Sequence, residues 1–375
     1  MKQTEIGLIP DDWEVKEIKD FADVTTGDKN TQDAEENGKY PFYVRSPIVE
    51  RINKFSYDTE GVITAGDGVG TGKVFHYAKG KFGLHQRAYL IYNFKNTDPK
   101  YFYYNFSKNF YERVHSMTAK SSVDSVRREM ITKMQIPIPP TLAEQQRIAK
   151  ALSDVDALIS TTEKLIQKKK NIKQGTMQNL LTGKKRLPGF AKTTNYKQSE
   201  LGLIPEDWEV KSLGEMVKIG HGRDYKNLKS GDVPVYGTGG YMTSVNDFLY
   251  EGETVCIGRK GTIDKPQYHS GKIWTVDTLF YTYDFKSLNP KYLFYKFCLI
   301  DWISMNEASG VPSLTAKNIE DIQIAIPTEE EQTAIANVLS SMDKEIETLN
   351  TKLEKYRNLK TAMMQQLLTG KIRLR

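Results

Sequence analysis

The sequence predicts an α+β fold in which two pseudo-symmetric mixed α/β domains are joined and spaced by two long coiled-coil helices. Three observations carry this. The head of the chain repeats: Gly7-Leu8-Ile9-Pro10-Asp11-Asp12-Trp13-Glu14-Val15-Lys16 recurs from Gly202 to Lys211, with Asp11 replaced by Glu206 as the sole difference. A tail motif also repeats, Leu180-Leu181-Thr182-Gly183-Lys184 returning as Leu367-Leu368-Thr369-Gly370-Lys371, while the stretches between barely resemble each other. Each tail motif closes a long apolar stripe with helical spacing. A frame kept twice around divergent inserts implies one device that handles two different things.

The resulting division is residues 1–140 for the first domain, 141–183 for a central long helix and 184–200 for a linker, flexible at Arg186 to Phe190. Residues 201–327 form the second domain and 328–370 a C-terminal long helix. Within the inserts, short alternating strands such as Val62-Ile63-Thr64 and Thr254-Val255-Cys256-Ile257 are punctuated by glycine-rich turns. Asp98-Pro99 and Asn289-Pro290 are good N-cap and N1 pairs, so a helix with inward aromatics is expected after each. Met134 to Pro139 and Ile322 to Pro327 read as a last strand leading into each long helix. Trp13 and Trp208 read as core anchors after a Pro-Asp turn.

In the C-terminal helix, Ile335, Leu339, Met342, Ile346, Leu349, Leu353, Tyr356, Met363 and Leu367 form a coiled-coil seam interrupted at Lys360. The central helix carries Ile148, Leu152, Val155, Ile159, Ile166 and Leu180 at equivalent places, diluted by Thr162, Lys169, Lys173 and Thr176. Thr141 with Glu144, and Thr328 with Glu331, spell a capping box at each start. Gly183 and Gly370 suit the left-handed residue that ends a helix. Glu329 to Glu331 lie at one helix's positive end, and Lys184 to Arg186 follow the other's negative end. At ~1.5 Å per residue each helix spans roughly 60 Å, and helices so long with matched registers pack on each other.

Composition is ordinarily globular: 375 residues, 39% hydrophobic and 27% charged, enough for two or three domains. No apolar leader and no run of membrane-span length is present, so a membrane location is not expected. Two cysteines, Cys256 and Cys298, exclude a disulfide framework and point to a reducing cytosol. A net charge of +6, with 21 tyrosines beside 53 lysines and arginines, suits a polyanionic partner such as nucleic acid.

Motifs for catalysis are missing. Gly66 to Lys73 fails as a phosphate loop, because Asp67 stands where a glycine is needed and Val74 where Ser or Thr is needed. It is either a glycine-rich hairpin or a loop whose backbone approaches a phosphodiester, helped by Lys73; its counterpart, Ile257 to Thr262, fails likewise. His76, His85, His115, His221 and His269 show no metal spacing, and there is no nucleophile elbow and no base-methylating motif. The chain reads as non-catalytic, with no metal and no cofactor of its own.

Candidate nucleic-acid contacts are polar and basic residues of the inserts, since Arg and Gln can pair with base edges while Ser, Thr and Lys hold phosphates. In the first insert they are Lys29, Asn30, Arg45, Ser46, Lys73, Gln86, Arg87, Ser121, Ser122, Arg127 and Arg128. In the second they are His221, Arg223, Tyr225, Lys226, Tyr236, Thr238, Arg259, Lys260, Thr278, Ser309, Ser313 and Lys317. Any single one could be a solvated surface residue; their similar placement in both halves is the stronger argument.

The repeated Gly-Leu-Ile-Pro-x-Asp-Trp-Glu-Val, the Ile-Gly-Arg-Lys-Gly-Thr and Val311-Pro312-Ser313-Leu314 of the second insert, the Ile-x-Ile-Pro-x-x-x-Glu-Gln before each long helix and the Leu-Leu-Thr-Gly-Lys after it resemble the specificity subunit of type I restriction-modification systems. The resemblance covers essentially the whole chain. It implies two target-recognition domains, each reading one half of a split double-stranded DNA site, with the long helices antiparallel between them. It implies two methyltransferase subunits bound to the helical regions and carrying S-adenosylmethionine. Two restriction subunits would add ATP- and Mg-dependent cleavage in a prokaryotic cytoplasm. Gly61 to Gly68 departs from the Ile-Gly-Arg-Lys-Gly pattern, so the first half is expected to hold its DNA differently. The alternative is a coiled-coil scaffold whose inserts bind protein.

Overall fold

Each repeated head motif folds into a small hairpin, Lys2–Thr4 with Gly7–Ile9 and Tyr196–Ser199 with Gly202–Pro205. A turn follows in which the Trp13 and Trp208 amides donate to the carbonyls of Pro10 and Pro205, and both indoles are fully buried. The computed structural model describes residues 1–68, 70–117, 125–306 and 308–374. Two compact units result: Met1–Glu163 with Thr351–Arg375, and Lys164–Asn350. Each unit therefore contains one insert and one half of each long helix, rather than insert and helix as separate segments.

The first unit is built on a six-stranded sheet of β1 (Asp23–Thr26), β2 (Tyr40–Tyr43), β3 (Glu50–Ile52), β4 (Tyr57–Ala65), β5 (Phe75–Leu84) and β6 (Ala88–Tyr92), in the order β1-β6-β4-β5-β2-β3. In the second unit β7 (Lys218–His221), β8 (Ser230–Gly237), β9 (Gly240–Val245), β10 (Tyr250–Gly258), β11 (Gln267–Thr275) and β12 (Leu279–Tyr283) repeat it as β7-β12-β10-β11-β8-β9. Both sheets pair their strands antiparallel except once, at β2 with β5 and at β8 with β11. The segments expected as strands lie inside β4 and β10, and β4 and β5 form an antiparallel hairpin in which Thr64 pairs with Phe75.

The four longest helices among the described residues are α1 (Pro99–Met117), α2 (Leu142–Leu181), α3 (Pro290–Phe297) and α4 (Glu329–Leu367). Asp98 and Asn289 cap α1 and α3 by accepting the amides of Tyr101 (2.8 Å) and Tyr292 (3.0 Å). Tyr101, Phe102, Phe106 and Phe110 on α1, and Tyr292, Leu293 and Phe297 on α3, are buried against the sheets. Each such ring removes ~150–250 Å² from water, so this face dominates the core.

The duplicated frame has a physical explanation, repeated unit by unit. Gln145 and Gln332, both buried, hold the turn ahead of α1 and α3. Their side-chain carbonyls accept from the amides of Asp98 (2.8 Å) and Asn289 (2.9 Å), and their amides donate to Pro139 and Pro327 carbonyls at 3.0 Å. The preceding glutamates face arginines: Arg373 bridges Glu144 and Asp12, and Arg186 bridges Glu331 and Asp207. Each guanidinium lies over the indole of its unit, 5.6 Å from Trp13 or 5.5 Å from Trp208. Thr141 still caps Glu144 at 3.3 Å, but the Glu144 carboxylate is engaged by arginine, so the capping box works by its threonine half. Gly183 and Gly370 are left-handed, with φ of +71° and +68°, and a Cβ there would meet Pro205 or Pro10 within 2.6 Å. That close approach ties the tail motif to the head motif.

In the first unit Lys360 pairs with Asp156 (2.6 Å) and Arg357 with Glu163 (2.8 Å); in the second, Lys169 pairs with Glu345 (2.7 Å) and Lys173 with Asp343. Numbers fall on one helix as they rise on the other, so the halves present in each unit run antiparallel. Ile148, Leu152, Val155, Ile166, Leu180, Ile335, Leu339, Leu353 and Leu367 are buried, and Ile159, Met342, Ile346, Leu349, Tyr356 and Met363 are half-buried. Buried Met177 belongs with them, although the stripe read from sequence omits it. The cations that interrupt the stripe, Lys360 and Lys173, are held by Asp156 and Asp343, which also accept the hydroxyls of Tyr104 and Tyr295 at 2.7 Å.

The linker, residues 184–200, is partly held in place. Arg186 is locked between two carboxylates, and Tyr196–Ser199 is a strand of the second hairpin.

Candidate nucleic-acid interface

The strand ends and turns around Gly27, His85 and Arg87, and around Gly222, Val276 and Thr278, form a platform with the same hydrogen bonds in both units. In the second unit the Arg223 amide donates to Thr275 (2.8 Å), Val276 to Tyr236 (3.0 Å), Arg259 to Thr278 (2.7 Å) and Leu314 to Arg259 (2.9 Å). In the first, Asp28 donates to Leu84 (3.2 Å), His85 to Tyr43 (3.0 Å), Gly66 to Arg87 (2.8 Å) and Val126 to Gly66 (2.7 Å). Lys260 bridges Ser313 as Asp67 bridges Ser125. Glycine is required where the chain crosses the platform: a Cβ on Gly27 or Gly222 would lie 2.0 Å or 1.9 Å from a carbonyl oxygen.

This correspondence aligns the side chains. Arg259, Lys260, Thr278 and Ser313 stand where the first unit has Gly66, Asp67, Arg87 and Ser125. The basic pair at the end of β10 is thus replaced by a glycine and an acid, and the charge comes from elsewhere. Asp67 accepts from Arg45 through one carboxylate oxygen and from Arg87 through the other, at 3.1 Å. Burial would raise the Asp67 carboxyl, but the bonds and charges of the two arginines outweigh it and hold it below its usual range. Beside them the Gln86 amide donates to Lys29 (2.8 Å), its side chain to Asn30, and the Arg87 amide to His85 Nδ1 at 3.0 Å. Burial and the neighbouring Arg45 hold the His85 ring below the ordinary histidine range.

The structure therefore gathers Lys29, Asn30, Arg45, Gln86 and Arg87 in one unit, and Arg223, Tyr236, Arg259, Lys260, Thr278 and Ser313 in the other. Several candidates have partners inside the fold. Lys73 lies 5.2 Å from the Tyr111 ring centre, Arg128 donates to the Val24 carbonyl (2.7 Å) and Lys317 pairs with Asp321 at 2.7 Å. Tyr225 packs against a buried cluster around Val235, His221 stands edge-on to Phe280, and Ser46 accepts from the Ile48 amide. Arg127, Lys226 and Ser309 are exposed, Thr238 is half-buried, and Ser121 and Ser122 lie outside the described residues. Sequence reading missed Asp67 and His269. The ring of His269 stacks on Tyr236 at 3.7 Å, and burial pushes it down to about 4. Asp67 was visible as a departure from the second half's pattern, but its arginine partners lie 22 and 20 residues away.

A second feature is duplicated. In the first unit a groove of about 680 Å³ runs between Ile6 and Leu8 of the hairpin, Lys108 of α1 and Leu368. In the second, a groove of about 490 Å³ runs between Leu201 and Leu203, Lys296 of α3 and Leu181. Leu8 and Leu203 are 53% and 67% exposed, yet the same residue is kept in both copies. No helix among the described residues is long and apolar enough to cross a membrane.

Comparison with known proteins gives a consistent result. The chain is 28% identical to the MjaVIII type I restriction enzyme specificity subunit of Methanocaldococcus jannaschii, over 98% of this chain and 94% of that one. It is 24% identical to the EcoDI specificity subunit of Escherichia coli, over 98% and 90%. The crystal structure of a type I restriction-modification S subunit from M. genitalium shares the fold, with a TM-score of 0.70 at 18% identity and 98% of each chain covered. The profile of the type I restriction modification DNA specificity domain matches residues 10–174 and again 205–355, the two copies of the frame, and the chain accordingly belongs to that family.

Proposed function

We propose that this chain is the DNA-reading subunit of a type I restriction-modification complex and addresses a bipartite, asymmetric double-stranded site, one unit per half-site. The observation that carries this is the pair of matched platforms whose backbones agree and whose side chains do not. One platform presents Arg259, Lys260 and Thr278, and the other Arg45, Asp67 and Arg87. Identical supports with different polar edges read different short words, because base identity is sensed by side-chain donors and acceptors. Bases between the two words go unread.

The two equivalent grooves with exposed leucines support docking of two methyltransferase subunits, and through them two restriction subunits. The chain itself performs no chemistry in this reading. S-adenosylmethionine belongs to the methyltransferase subunits, and ATP with Mg to the restriction subunits. Measuring duplex binding by the assembled methyltransferase complex across salt concentrations tests the reading. Specific binding that weakens log-linearly with salt is expected; salt-insensitive or undetectable binding would favour a scaffold whose inserts hold protein.

A further inference from the structure

We infer that Asp67 is a specificity-determining positioning residue, which fixes the guanidinium groups of Arg45 and Arg87 as a paired reader of a guanine edge in the half-site addressed by the first unit. The inference rests on the DNA-reading function proposed above.

Asp67 carries the wrong charge for its place. Asp67 occupies the position of Lys260 on the matched platform. A carboxylate at an edge facing DNA repels phosphates, so on charge alone it opposes binding. Here both oxygens are taken, one by Arg45 and one by Arg87. Asp67 is 22% exposed and the Arg87 side chain 61%, so the acid lies behind the cations rather than in front of them. The carboxylate therefore acts as an anchor that two arginines share.

Anchoring changes what an arginine can do. A guanidinium has five N–H donors in a planar fork, and a single bond from one nitrogen leaves donors for a second acceptor pair. A fork tethered at one corner loses rotational freedom before it meets its target, so less is lost when it pairs with the O6 and N7 of guanine. Arg87 is also fixed from its own backbone, because its amide donates to His85 Nδ1 at 3.0 Å and its carbonyl accepts from Gly66 at 2.8 Å. The second unit has Thr278 and Lys260 in these positions, which suit a different base edge. One frame thus reads two words by exchanging an Arg-Asp-Arg set for a lysine and a hydroxyl.

The test is to map methylated adenines in cells carrying the complete complex with wild-type chain, D67N, R87K or R45K, beside a chain whose residues 1–140 come from another family member. D67N and R87K are expected to lose discrimination at one G·C pair of one half-site by about 5- to 100-fold, with the other half-site unchanged. R45K covers the case in which D67N fails to accumulate, since lysine keeps the ion pair but not the fork. An unchanged word in D67N and R87K, or a weakening spread evenly over all sequences, would overturn the inference. If the domain exchange alters a half-site while these variants do not, only this inference fails; if the exchange alters nothing, the DNA-reading function fails with it.

Discussion

Arg373 and Glu144, 229 positions apart, meet in the first unit, where Arg373 Nη2 donates to Glu144 Oε2 at 2.8 Å. Arg186 and Glu331 make the same contact in the second unit at 2.7 Å. Glu144 and Glu331 are 4% and 1% exposed, so each carboxylate depends on its arginine for solvation. Breaking such a pair leaves a buried charge, and Arg373→Ala is expected to destabilise the protein by about 3–5 kcal/mol in denaturant unfolding. The double variant with Glu144→Gln should recover part of that loss. A loss below about 1 kcal/mol would mean that the pair is not structural.

The long-helix seam gives a graded prediction. Leu353 is buried and Leu349 half-buried, so Leu353→Asp should cost about 3 kcal/mol or more and Leu349→Asp less. Equal, small effects in thermal unfolding would remove both from the seam.

The grooves predict the opposite separation of stability from assembly. Leu8→Asp and Leu203→Asp alter exposed side chains, so stability should move by no more than ~0.5 kcal/mol. Assembly with methyltransferase subunits, followed by size-exclusion chromatography, should weaken, one subunit being lost per variant. Unchanged assembly would move the docking surface elsewhere.

His269 makes stability depend on pH with a definite sign. Burial pushes its folded value down to about 4 from the ordinary 6.5, so the unfolded chain binds the extra proton between those values. Its contribution is complete above about pH 6.5 and is lost as the pH falls toward 4. His269→Gln should lack this component, seen as a difference between the two unfolding curves that grows across that window. A difference constant with pH would contradict the assignment.

The frame was legible because it is local and repeated. Asp-Pro and Asn-Pro caps, terminal glycines and the apolar stripe each act within a few residues, and periodicity reports them directly. Less legible were the long-range polar contacts. Lys360 and Lys173 read as breaks in the seam, yet Asp156 and Asp343 neutralise them, and neither acid belongs to the apolar pattern. Arg186 read as part of a flexible linker, because nothing local reveals that Glu331 lies against it. Among candidate contacts, side-chain chemistry groups Arg87 and Lys260 together with Lys317, which is paired with Asp321 four residues on. Asp67 was passed over because an acid looks unsuited to a polyanion until its two arginines are seen.

The most direct measurement is the methylation pattern of a cell in which residues 1–140 are exchanged for the equivalent insert of another family member, with the rest of the complex untouched. A split motif in which one short word changes and the other is retained is expected. A motif in which both words change, or neither does, would contradict the assignment of one half-site to each unit.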